Sequence, residues 1–88
     1  MSVEIAHSAR RHQGHDGFED ADVLHAIENA LYAAVPAEDP DKVLYLGPDR
    51  SARLLEIVTA VREDGSELVI HAMKMRPSYQ ALLGGTGG

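Results

Sequence analysis

The chain has 88 residues, no cysteine, no tryptophan and a formal net charge of −6. That length suits one domain and leaves no room for a second core. The lack of cysteine excludes disulfides, thiolate metal centres and a cysteine nucleophile. So acidic a chain also argues against a simple non-specific nucleic-acid binder, since such domains are usually basic. A domain this small buries only about 60–65% of its unfolded surface, so its stability is modest unless it gains more as a homo-oligomer.

The opening MSVEIAHSARR lacks the apolar stretch of a signal peptide, and no uncharged run reaches the roughly 20 residues a membrane helix needs. A cytoplasmic protein without membrane contact is expected. Ile5 to about His12 reads as a short helix, ended by Gly14 or Gly17. Glu19 or Asp20 can cap a second helix, because acidic residues in a first turn complement the helix dipole. Val23, Leu24, Ile27, Ala30, Leu31 and Ala34 recur at helical spacing along it, and Pro36 ends it. Between Asp16 and Asp41 lie eight acidic residues and no Lys or Arg, so one surface is acidic.

From Lys42 the period changes. Val43 to Leu46 forms a short strand stopped by Gly47-Pro48. Leu54 to Arg62 and Leu68 to Lys74 are β-rich runs joined through Glu63-Asp64-Gly65-Ser66, a strong hairpin signal. Ser78 to Leu83 can close the domain as a short helix. The fold class expected is α+β: two N-terminal helices on a three- to four-stranded antiparallel sheet with a short C-terminal helix. The domain runs over residues 1–83, and residues 84–88 are a flexible glycine-rich tail.

If Asp64 and Gly65 are the two loop residues, Val61 pairs with Leu68, Thr59 with Ile70 and Ile57 with Ala72, and this face is the core. The other face carries Glu56, Val58, Ala60, Val69, His71 and Met73, with Arg62 opposite Glu67. There Glu56 and His71 are diagonal neighbours within reach of one another.

Most motifs have ordinary explanations. His7, His12 and His15 lack the spacing of a metal site and read as solvated, so neither a metal nor a cofactor is expected. His25 falls on the polar helix face near Asn29 and Tyr32, a solvated or partner-binding surface. Gly47-Pro48-Asp49-Arg50-Ser51 lacks the ending of a phosphate loop and reads as a turn, from which Arg50 and Arg53 can still reach phosphate. No GxSxG elbow supports a serine nucleophile.

The segment LVIHAMKMRPSY, residues 68–79, differs in kind. From Leu68 onward the chain has two basic residues and no acidic one. RNA cleavage without a metal needs a base for the 2′-OH, an acid for the leaving oxygen and fixed cations on the phosphate. His71 or Glu56 can act as base, Lys74 and Arg76 as phosphate clamp, and Tyr79 as stacking platform or acid. Equally, His71 can be a half-buried strand residue paired to Glu56, with Tyr79 packing the last helix onto the sheet.

IAHSARRHQG at the start, GFEDADVLHAI in the helix and LLEIVTAVREDGSELVIHAMKMRPSYQALL at the end resemble small actinobacterial toxins of type II toxin–antitoxin modules. Those toxins are related to the BrnT-like branch of the RelE/ParE superfamily. The similarity spans residues 4 to about 83, and LLEIV and IHAMKMRPSY are its most specific parts. It implies helices packed on an antiparallel sheet and an endoribonuclease acting on RNA, free or on the ribosome. It also implies a small antitoxin protein as partner. His71, Lys74, Arg76 and Tyr79 are the positions onto which site residues carry over, with His7 and Arg10 as additions. The nucleic-acid contacts so expected are Lys74, Arg76, Arg10 and Arg53, and the catalytic set is His71, Glu56, Arg76 and Tyr79. A non-catalytic protein–protein interaction module of the same fold is the alternative, with the acidic stretch Asp20 to Glu38 or the His25–Tyr32 face as its contact.

Overall fold

The computed structural model describes residues 2–84. The elements in order are β1 (Val3–Ile5), a 3-10 turn (His7–Arg10), α1 (Gln13–Asp16), α2 (Asp20–Glu28), β2 (Tyr32–Ala34), β3 (Lys42–Pro48), β4 (Leu54–Val61), β5 (Glu67–Lys74) and a 3-10 helix (Pro77–Leu83). They form a five-stranded sheet of order β1-β5-β4-β3-β2 in which β1 runs parallel to β5 and the other pairs are antiparallel. This corrects the expected architecture of two N-terminal helices on three or four antiparallel strands; the sheet is mixed and has five. The expected tail beyond Gly84 lies outside the described residues.

β1 takes Val3 and Glu4, which the sequence pattern assigns to no element, together with Ile5, the expected start of the first helix; β2 lies wholly within the end of the expected second helix. Val3-Glu4-Ile5 lines up with Glu67, Leu68 and Val69, and the Ala6 amide continues the ladder to the Val69 carbonyl at 2.9 Å. Two β-branched residues alternating around Glu4 suit a strand, but the partner lies more than 60 residues away in sequence. The main helix is nine residues long and ends at Glu28, well before Pro36. Asn29 turns its side-chain amide back onto the His25 carbonyl at 2.9 Å, and the Leu31 amide is taken by the Leu46 carbonyl at 2.8 Å. The helix therefore stops where sheet hydrogen bonds become available, and Tyr32–Ala34 pairs with Leu44–Leu46 of β3.

The core lies on one face of the sheet. Ala9, Phe18, Val23 and Ala26 from the N-terminal segments pack onto Leu55, Ile57, Val69 and Ala72. Gly47 permits the approach of α2: a Cβ there would stand 2.2 Å from the Ala26 carbonyl oxygen. The face also accommodates polar groups. Tyr45 Oη and Thr59 Oγ1 both donate to the Glu67 carboxylate at 2.7 Å, which satisfies a buried acid.

The β4–β5 hairpin contains two one-residue shifts that cancel. The Arg62 amide donates to the Ser66 carbonyl, so the loop is the three residues Glu63-Asp64-Gly65, with Gly65 at φ +86° in the left-handed region. Near the turn Val61 therefore faces Glu67, and Thr59 faces Val69, one residue away from the expected partners. A bulge between Val58 and Thr59 then absorbs Ile70, and from Val58↔His71 onward the expected register returns, with Ile57↔Ala72 and Glu56↔Met73. The bulge turns Val69 into the core, whereas Val61 is exposed.

Candidate functional site

On β4, Leu55 and Ile57 point into the core, so Glu56 points to the opposite face. Glu56 is nonetheless only 1% exposed. The chain leaving β5 covers it: Met75 extends the ladder to the Leu54 carbonyl, and Arg76 folds over the carboxylate. Oε1 accepts from the Arg76 amide (2.9 Å) and Nε (3.1 Å), and Oε2 accepts from Arg76 Nη2 (2.8 Å) and His71 Nε2 (3.0 Å). Burial alone would raise the Glu56 carboxyl, but the Arg76 guanidinium and amide and the His71 ring outweigh it and hold it below its ordinary value. The Arg76 guanidinium is raised in turn by the same carboxylate.

Two consequences follow for reactivity. An ionised carboxylate only accepts, so His71 Nε2 carries the hydrogen and, in the neutral ring, Nδ1 carries the lone pair. Arg76 spends Nε and Nη2 on Glu56, and among the described residues Nη1 meets no carboxylate, so it can meet an anion. His71 is one-third exposed and Arg76 about half (33% and 54%), so both reach solvent while the acid beneath them does not. Arg76 Cζ also stands 5.7 Å from the centroid of the Tyr79 ring, a cation–π contact that fixes the 3-10 helix beside the site.

The fold thus assembles Glu56, His71, Arg76 and Tyr79. Lys74 ends β5 opposite Leu55, so its side chain lies on the other face of the sheet from Glu56, where it lines a small cavity with His15, Asp49 and Arg53. Its amide donates to Asp16 Oδ2 at 3.0 Å, and its ammonium has no ion pair among the described residues. The fold does not bring Arg10 and Arg53 into this set. Arg10 grips Asp20 through Nε and Nη2, and Arg53 binds the buried Asp49 and the carbonyl of Gly17. Arg50 is likewise held by Asp22, whose carboxyl its guanidinium keeps well below the usual range. Among the described residues, six of the eight Lys and Arg side chains are ion-paired, and Arg11 and Lys74 are not. The turn 47–51 is accordingly a built corner, with Asp49 Oδ1 accepting from the amides of Ser51 and Arg53.

His12 has moved into the site without any sequence signal. β1 covers only Glu67–Val69, so the outer edge of β5 from Ile70 onward is flanked by α1 instead of a strand. That puts the His12 ring 6.4 Å from the His71 ring, edge to face at 71°. His7 is exposed, and His15 leans on Asp16 at 3.0 Å. His25, expected on a solvated or partner-binding surface, is half-buried and donates from Nδ1 to the Pro48 carbonyl at 2.9 Å. Among the described residues, no three His, Asp or Glu side chains converge as a metal ion would require.

An open cleft of about 660 Å³ lies elsewhere, between α1, α2 and the Arg50–Arg53 corner, but its two arginines already hold carboxylates. No helix among the described residues is long and apolar enough to cross a membrane. Comparison with protein-family models, curated proteins and solved structures finds no match to the chain.

Proposed function

We propose that the chain is the toxin component of a type II toxin–antitoxin module and an endoribonuclease that needs no metal ion. The observation that supports this most is the buried Glu56, which orients an imidazole and a guanidinium while leaving one reactive edge of each free. In this reading Glu56 is a positioning residue, not the base. His71 Nδ1 takes the 2′-OH proton, Arg76 Nη1 meets the phosphate, and Tyr79 stacks on a base, while Lys74 and Arg53, which share a cavity on the other face, are left out of the chemical step. With so few unpaired cations, affinity for free RNA is weak. That suits a substrate presented by another body such as the ribosome, and a small antitoxin as the partner that restrains the site in the cytoplasm.

Inducing the chain in a bacterial host is expected to arrest growth and to yield cleaved RNA. His71→Ala and Arg76→Lys, each checked for folding by circular dichroism, are expected to relieve the arrest. Equal arrest by wild type and both folded variants would remove the assignment of the site. No arrest and no cleavage, with naked RNA or translating ribosomes, would remove the enzyme.

A non-catalytic interaction module is the second reading, and one observation favours it. β2 is an edge strand of three residues, flanked by the exposed Leu31 and Val35 and followed by acidic residues. Unpaired edges of this kind accept a strand from another chain. Recovery of a small basic protein, lost on Leu31→Lys with Val35→Lys, would support that reading.

A further inference from the structure

We propose that His12 is the second proton-transfer group of the site, donating to the leaving oxygen while His71 serves the attacking one; this rests on the RNA-cleavage reading above. Two features carry it: the separation of the rings and the way His12 is held.

In an in-line displacement the entering and leaving oxygens flank phosphorus roughly 3–4 Å apart, and each catalyst stands within about 2.6–3.2 Å of its oxygen. Two nitrogens serving one phosphate are therefore on the order of 6–9 Å apart. The His12 and His71 ring centroids are 6.4 Å apart with the ring planes inclined at 71°, a spacing that lets a nitrogen of each ring serve a different oxygen of one phosphate seated across the pair.

His12 is placed by a braced segment. Its carbonyl accepts the Asp16 amide at 2.8 Å and so opens α1. Asp16 in turn accepts the Lys74 amide from the end of β5, and Arg53 holds the Gly17 carbonyl at the other end. The His12 ring is partly buried, and among the described residues neither of its nitrogens is taken by another side chain or carbonyl. The charged groups around the pair are Glu56 and Arg76 on His71, and Asp16 near His12, with His15 against Asp16. Lys74 lies on the same edge.

In the step assigned here, the lone pair of His71 Nδ1 takes the 2′-OH proton as the 2′-oxygen bonds to phosphorus. The bond from phosphorus to the 5′-oxygen breaks, and that oxygen takes a proton from the His12 imidazolium. The products are a 2′,3′-cyclic phosphate and a 5′-hydroxyl, with the two rings left in exchanged protonation states. No oxidant, metal or further reactant enters.

The test is cleavage of a short single-stranded RNA in chelator across about pH 5–9, using wild type, His12→Ala, His12→Gln and His71→Ala. The wild type is expected to give a bell-shaped kcat/KM profile. Both folded His12 variants should lower kcat by about 10²–10⁴-fold with KM little changed, and should lose the alkaline limb. A uridine 3′-(4-nitrophenyl) phosphate, whose leaving group needs no acid, should restore the His12 variants and not His71→Ala. Cleavage of RNA by both His12 variants within about threefold of wild type, with the bell intact, would overturn this role and leave the ribonuclease standing. A wild type that cleaves neither substrate would overturn both.

Discussion

Replacing Glu56 by Gln changes one atom of a side chain that is 1% exposed and accepts four hydrogen bonds. The amide oxygen can keep two of the four donors, while the new NH₂ faces the other two as donor against donor. Hydrogen bonds to a charged group are worth about 1.5–3 kcal/mol each when both ends are dry. Here His71 and Arg76 are one-third and one-half exposed and can swing to water, so the sum must be discounted. A loss of about 2 kcal/mol remains for Glu56→Gln, against a total stability of about 4–13 kcal/mol for a chain of 88 residues. The melting point should fall by about 8–16 °C. Urea denaturation followed by circular dichroism measures the difference directly. Its pH dependence carries a second check. A carboxyl held below its ordinary value contributes stability that is complete above that value, 4.5, and fades as pH drops through the folded-state value. The gap between wild type and Glu56→Gln should therefore close as pH falls below 4.5. A gap under about 0.5 kcal/mol at neutral pH, or one indifferent to pH, would refute the view that Glu56 is an ionised organising centre.

Gly47→Ala is expected to cost at least about 1–3 kcal/mol by the same denaturation measurement, because α2 must back away from its backbone contact with β3. Desolvation and the hydrogen bond to Glu67 push the Tyr45 hydroxyl up to about 12. A group so raised supports the fold fully below its unfolded value of 10.0, and that support goes as pH climbs from 10.0 to about 12. Ultraviolet titration should show one tyrosinate appearing near that upper limit, and Tyr45→Phe should delete it. Leu46→Ala is expected to cost about 2–5 kcal/mol, since Leu46 is wholly buried beside Glu56 on the face away from α2. A change below about 1 kcal/mol would mean that this second face is not a packed layer.

What the residues revealed in advance depends on how local each cause was. The α2 start and the three central strands are set by neighbours within a few positions and form close to where they are expected, although β3 runs on through Gly47-Pro48 and the hairpin loop has three residues instead of two. β1 was hidden because three residues carry little periodicity and its partner is β5, more than 60 positions on. β2 was hidden because Ala30, Leu31 and Ala34 fit a helical stripe as well as a strand, and the Leu46 carbonyl decided between them. Glu56 and His71 meet as the simple hairpin register implies, although the register itself is wrong near the turn. The longer loop shifts it by one residue, and the bulge at Ile70 shifts it back before His71 is reached. His12 had no legible signal, since its neighbour depends on where β1 stops.

The charge of −6 bears differently on the site once the pairing is known. Acidic residues are not spread against the cations of the C-terminal segment; they absorb the cations of every other segment but Arg11, through Asp20, Asp39, Asp41, Glu19, Asp22, Asp49 and Glu4. Among the described residues Glu56 is the one acid ion-paired to a Lys or Arg of residues 68–79, and it holds Arg76 from beneath. A site arranged this way has fixed geometry and little long-range attraction. Catalytic rate depends on the first and capture of a polyanion on the second. Weak binding of free RNA is therefore no argument against proton transfer at His71. The informative measurement is kcat at saturating substrate, with the salt dependence of KM read separately.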